Sequence, residues 1–497
     1  MSVTDQSGSQ SAATPPISSP RRNFRIIVGA MFFIQIVGGF TSGFWSPLVP
    51  AWSDAMHIGV GQYSWLSSIS FLALVVAVPV LSALGDRHGH RKLLSVAIWT
   101  TAAAIALLVV APSFGVALVG MCLWGAQGIW MAMLIALIRD TESGERANRG
   151  IAMLATGVTT GQLIGSVIAG PCLSLIGSVR VTVAILAVAC VAAGVVAMAL
   201  LPESATRRAR SIDWIGVLGL SVGLVSLLLG VMNANKAGWT SVSTLTGVTC
   251  GLVVLAAWVA WERHTPAPLV NLAVLSSKAM WPAMVAAVTF GLMVWIPKTP
   301  LVFFLAAKPQ SVGYGLGFTA TAISVVLICF YLAQISGSSL CALLTSKIGP
   351  RGVIFAGIGC GTTGTAGMAL LAYSSSMAGA AWLITVSFMV LGLGCGLLLG
   401  SMYAYVSEAA PADQVGVISG TYNTVRGVGG TVGGAAAAAL LSAFTPEHST
   451  ASTVTGYAVV WFACAAAGVV TLLLMFAAWS RRGVHVAFPA AVVSEEV

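Results

Sequence analysis

The densest group of ionisable side chains in this sequence is Asp86-Arg87-His88-Gly89-His90-Arg91-Lys92. One carboxylate, two imidazoles and three permanent cations surround a single glycine. Such a set can form ion pairs and exchange protons. Gly89 suits a tight turn, because positive φ carries no Cβ penalty at glycine. Elsewhere the ionisable residues are more sparsely placed. Arg426 interrupts an apolar run, Lys298 sits between Pro297 and Pro300, and Asp140 and Glu408 close apolar runs. The sequence has no H-E-x-x-H pair and no paired carboxylates within its apolar runs, so metal-assisted or acid–base hydrolysis lacks its residues. It also has no G-x-x-x-x-G-K-[ST] loop, which excludes ATP binding of that kind. The nine cysteines lie in apolar runs without a C-x-x-C pair and read as small buried hydrophobes. No metal and no cofactor are expected.

These residues are set in a chain that is 58% hydrophobic and only 7% charged, with a mean hydropathy of +0.95. A soluble domain carries about 25% charged residues. An integral membrane protein follows, with the lipid bilayer as its surroundings. The net charge of +9 is spread one or two residues at a time over segment ends, which argues against nucleic acid as a partner. Apolar runs of bilayer-crossing length, about 17–25 residues, can be drawn fourteen times between Ile26 and Trp479. With the N-terminus inside, eighteen of the 23 Lys and Arg fall on the inner side and three on the outer. That asymmetry favours an even number of crossings with both termini cytoplasmic. The expected fold is all-α and integral to the plasma membrane, with 14 transmembrane helices. Its expected divisions are a disordered tail over 1–22, a six-helix bundle over 23–205, two linker helices over 206–275, a second six-helix bundle over 276–480 and a tail over 481–497. Ser346-Lys347-Ile348-Gly349-Pro350-Arg351 repeats the basic–glycine–arginine pattern of the first loop at the matching place in the second bundle, as an internal duplication would.

The loop from Leu84 to Lys92 resembles the signature loop between helices two and three of the major facilitator superfamily. That resemblance implies that Asp86, Arg87, Gly89, Arg91 and Lys92 latch a gate by pairing across helix ends. Ser82 replaces the family's usual leading glycine. Gly157, Gly161 and Gly165 recur every four residues on one helix face and are followed by Gly170-Pro171. Small residues at this spacing let helices approach closely, and the added Gly-Pro is similar to the antiporter motif of drug exporters in that superfamily. The central helix pair, with Ile212-Asp213-Trp214-Ile215-Gly216, resembles the fourteen-helix drug:proton antiporter branch. Tyr422-Asn423-Thr424-Val425-Arg426-Gly427 is also similar to that branch.

The resemblance implies a secondary transporter that exports hydrophobic or amphipathic small molecules by proton antiport, with two halves rocking about a midplane site. Two departures bear on coupling. An acid is usual in the first span where this chain has Thr41, and an arginine is usual where it has Trp124. Asp140 and Glu408 are left as the candidate coupling acids. Candidate cavity residues are Trp45, Trp124, Gln127, Trp130, Trp295, Tyr331, Gln334, Tyr403, Asn423 and Arg426. A tryptophan in such a helix serves packing or interface anchoring as readily as substrate contact. Arg426 either lines the cavity or bonds to carbonyls of a neighbouring helix, and Lys298 is expected to snorkel to the interface. A monomer is expected. The alternatives are an uncoupled facilitator or lipid transporter on the same fold, and a membrane enzyme or sensor scaffold.

Overall fold

The computed structural model describes residues 24–141, 144–203, 213–238, 240–265, 280–374, 379–409, 415–446, 449 and 451–480. The two tails and most of the basic linker after Pro202 lie outside these residues. So do the side chains of Asp86, Tyr403 and Glu408.

Long apolar runs become helices because a helix satisfies every backbone N–H and C=O within itself, as lipid demands. The chain forms α1 (Phe24–Ala55), α2 (Val60–His88), α3 (His90–Val110), α4 (Phe114–Trp124), α5 (Trp130–Thr141), α6 (Gly144–Ile176) and α7 (Val179–Leu200). It continues with α8 (Trp214–Ala237), α9 (Val242–Glu262), α10 (Trp281–Trp295), α11 (Lys298–Ala306), the short α12 (Pro309–Val312), α13 (Ala320–Ala372), α14 (Ala380–Ala409), α15 (Val415–Ala443) and α16 (Val454–Ser480). Among the described residues there is no strand, and ten helices are long and apolar enough to cross a bilayer.

Three of these differ from the expected uninterrupted spans. The run Phe114–Ile138 is divided between α4 and α5 by the 3-10 turn Gly125–Ile129. The run Met280–Ala306 is divided at Ile296-Pro297, where Pro297 and Pro300 withhold backbone donors. Conversely, α13 runs for 53 residues across two expected spans, broken only by Gly349 at φ 71°, ψ 165°. Gly89, between α2 and α3, has φ 104°, ψ 132°. The repeated loop therefore places a positive-φ glycine at the same step in both parts of the sequence.

Glycines set the closest helix contacts. Gly39 and Gly43 of α1 lie on the backbone of Val158 and Gln162 in α6, while Gly161 and Gly165 of α6 lie on Ile36 and Phe40 in α1. Later in the chain Gly291 of α10 lies on the Arg426 carbonyl, and Gly429 of α15 lies on the Val288 carbonyl.

Early and late helices meet along two seams. On one, Gly61 of α2 abuts Ser442 of α15, Ser68 abuts Gly434, and Trp65 packs with Ala435, Ala438 and Ala439. On the other, Gly170 of α6 rests on Thr321 of α13, and Ser174 Oγ lies 3.2 Å from Thr321 Oγ1. All these contacts lie toward one end of the helices, the end where α1 turns into α2 near His57. The opposite end carries the turn at Gly89. Leu220 and Leu224 of α8 pack with Leu72, Leu74 and Val428, so the central pair covers the α2–α15 seam.

Candidate functional site

At the Gly89 end the turn is anchored on both sides. His90 begins α3, is 5% exposed, and lies 3.1 Å through Nδ1 from Asp140 Oδ2 at the end of α5. Arg91 Nη2 donates to the Met198 carbonyl near the end of α7. His88 Nδ1 lies 3.2 Å from the Leu84 carbonyl. Arg87, His88 and Lys92 are exposed. Asp140, a candidate coupling acid, thus meets the imidazole of His90.

Between the two ends, Gln127 in the 3-10 turn gathers the two altered positions. Trp124 Nε1 donates to Gln127 Oε1 at 2.5 Å. Gln127 Nε2 donates to Thr41 Oγ1 at 2.6 Å and to the Gly38 carbonyl at 2.7 Å. Thr41 Oγ1 in turn donates to Gly38 O at 2.8 Å. Where an acid and an arginine are usual, this chain holds a neutral hydrogen-bonded chain. Trp130 packs against Gly38 and is 1% exposed, which makes it a packing residue in this conformation.

An aromatic column rises from this chain toward the His57 end. The Trp45 and Trp124 rings meet edge to face at 5.3 Å, and Trp45 meets Trp52 at 5.3 Å. Trp45 Nε1 donates to Tyr63 OH at 2.6 Å, and the Tyr63 ring reaches Phe303 of α11 at 5.7 Å. Trp52, Tyr63 and Phe303 were not selected from the sequence. Their signal is weak there, because aromatics near helix ends are commonplace in membrane proteins. The break at Ile296-Pro297 is what lets α11 approach α2.

The late helices carry two cations within their apolar runs. Lys298 Nζ donates to Tyr331 OH at 2.5 Å and lies 5.0 Å from the centre of that ring. It is therefore held by a neighbouring helix, not extended to the interface as its position near a span end had suggested. The Arg426 guanidinium lies over Phe290 at 5.5 Å and Trp295 at 5.7 Å. Its Nε is buried without a hydrogen-bond partner. Gln334 follows Tyr331 on the same face of α13, 8% exposed, with Oε1 buried and unpaired. Asn423 is half-buried one turn before Arg426.

The glycine series divides its work. Gly161 and Gly165 seat α1, Gly157 lies against Phe32 and Gln35 of α1, and only Gly170 faces a late helix. Pro171 lies exposed within α6, which continues to Ile176. A Gly-x-Ser-x-Gly run, Gly219–Gly223, lies inside α8, and Ser221 Oγ donates to the Val217 carbonyl at 2.6 Å. It is not on the strand-to-helix turn that exposes a nucleophilic serine.

Many apolar helices, glycine-seated pairs, and polar groups held between early and late helices define a multi-pass membrane transporter. A family profile described as the Major Facilitator Superfamily matches residues 31–434 and 302–492. The chain belongs to that superfamily. It is 26% identical over 396 residues to the tetracenomycin C resistance and export protein of Streptomyces glaucescens, covering 79% of this chain and 71% of that protein. It is 26% identical over 418 residues to the multidrug resistance protein Stp of Mycobacterium tuberculosis, covering 80% and 73%. Among solved structures, the nucleoside transporter NupG superposes with a TM-score of 0.64 at 13% identity, over 92% of this chain and 100% of that one.

Proposed function

We propose that this protein exports hydrophobic or amphipathic small molecules across the plasma membrane by alternating access, with fourteen crossings, both termini cytoplasmic and the His57 end outside. Two six-helix bundles would rock about a site between Gln127 and Arg426, with α8 and α9 as the central linker pair. The observation that carries the reading is the column Trp45–Tyr63–Phe303. It joins early and late helices at the His57 end and would close the outer mouth above an aromatic wall. The names of the relatives, export and multidrug resistance proteins, point the same way. In this reading the Gly89 loop is the inner latch, with Asp86 and its basic neighbours as gate residues.

Proton antiport is the form of coupling that the resemblance implies. Asp140, beside His90, and Glu408 are the coupling candidates. A facilitator without proton coupling is favoured by one specific observation: the neutral Thr41–Gln127–Trp124 chain stands where charged residues are usual. The deciding experiment compares survival of cells with and without the protein on a toxicity panel, then repeats it with the proton gradient collapsed. Protection that disappears with the gradient supports antiport. Protection that persists supports the facilitator, and no protection against any compound overturns export.

A further inference from the structure

Among the described residues, Lys298 and Arg426 lack the carboxylates that membrane-buried cations ordinarily pair with. We propose that Lys298 and Arg426 bind the charged group of an anionic substrate, a carboxylate or phenolate on a planar apolar body. The proposal rests on the export reading for its site and adds the substrate's charge.

Arg426 lies well inside α15, eleven residues after its first residue Val415. The faces of Phe290 and Trp295 attract its charge. They give nothing to its in-plane N–H donors, and Nε is buried and unbonded. Lys298 has three donors, and Tyr331 OH takes one. The buried, unpaired amide oxygen of Gln334 lies one turn beyond Tyr331. Both cations are placed by α10 and α11. The Arg426 carbonyl abuts Gly291, and Lys298 follows seven residues later, about 10 Å along a helix axis. Trp295 lies between them in sequence and meets the guanidinium.

Nothing described nearby offsets this charge. Residues 280–480 contain three acids, of which Glu408 falls at the end of α14, while Asp413 and Glu447 lie outside the described residues. Among the described residues neither cation has a carboxylate partner. The hydrogen-bonded chain of Thr41, Gln127 and Trp124 in the early helices is itself neutral. In a low-dielectric interior such a site attracts anions and repels cations far more strongly than it would in water. Unpaired donors at this depth are then explained as a site awaiting an acceptor.

The test uses the full-length protein, purified in detergent, and three probes sharing one fluorescent ring: anthracene-9-carboxylate, 9-anthracenemethanol and 9-(aminomethyl)anthracene. The carboxylate should bind most tightly and the amine least. Lys298→Gln and Arg426→Gln should each weaken carboxylate binding by about tenfold or more, the size of one lost hydrogen bond to a charged group. Binding of the alcohol should weaken by less than that of the carboxylate. Lys298→Arg and Arg426→Lys, which keep the charge, should recover most of the carboxylate affinity and serve as controls for folding. Equal affinity for all three probes, preference for the amine, binding of none, or indifference of the carboxylate to both glutamine variants would overturn the proposal. Alcohol transport by reconstituted protein in any of those cases would leave the export reading standing.

Discussion

At the scale of single residues, the informative positions are those where a usual charge is missing. Thr41 and Trp124 stand where the resemblance implies an acid and an arginine, and Gln127 bonds to both. Trp124→Arg alone would place a cation beside an amide with no acid to meet it. Thr41→Asp alone would place a carboxylate against the Gly38 carbonyl that Thr41 now donates to. Each single variant should melt below the parent in detergent. The double variant should recover much of the loss, with an interaction energy of about 0.5–3 kcal/mol, as contacting pairs show. Purely additive losses would mean that the two positions do not communicate through Gln127. Both departures were legible in the sequence because they interrupt a recognisable pattern. The role of Gln127 as their bridge was not, since it depends on the 3-10 turn that aims its amide across to α1. Lys298 was misjudged for a related reason: its place near a span end suggested the interface, while only the fold brings Tyr331 within reach.

At the scale of helices, glycine placement decides which pairs can touch. The four-residue spacing of Gly157, Gly161 and Gly165 announced a close helix face, but spacing alone does not name the partner. The structure gives most of that face to α1 of the same sequence half, and Gly170 to α13. A methyl group at Gly161 would strike the backbone of Ile36 and Phe40, whereas one at Gly359 would meet nothing within 4 Å. Gly161→Ala should therefore destabilise by about 1–3 kcal/mol, as overpacking does. Gly359→Ala should stabilise by up to about 1 kcal/mol through helix propensity. Thermal melts of the two variants against the parent check both signs. Helix existence was legible from apolar run length, since lipid leaves the backbone little alternative. The interruptions within spans were less so. Gly125–Ile129 contains no proline, and its tighter turn emerges from packing of Gly125 and Gly128 on Ala73 and Leu74.

At the scale of the whole molecule, the early and late helices are joined at the His57 end by Tyr63–Phe303, Gly61–Ser442 and Gly170–Thr321. Alternating access requires these contacts to part in every cycle. A Cβ placed at Gly61 would lie 3.4 Å from Ser442 Cβ, close to the separation of about 3.5–4.5 Å that a disulfide spans. Gly61→Cys with Ser442→Cys should therefore cross-link under mild oxidation and hold this end shut. Export by the oxidised double variant should fall to the level of cells lacking the protein and return on reduction. Each single variant, oxidised in parallel, should keep its activity, which controls for the nine native cysteines. A cross-linked protein that still exports at full rate would mean that the substrate leaves without separation of α2 from α15. The seam covered by α8 would then be the route to consider, because Leu220 and Leu224 pack against residues of both α2 and α15 there.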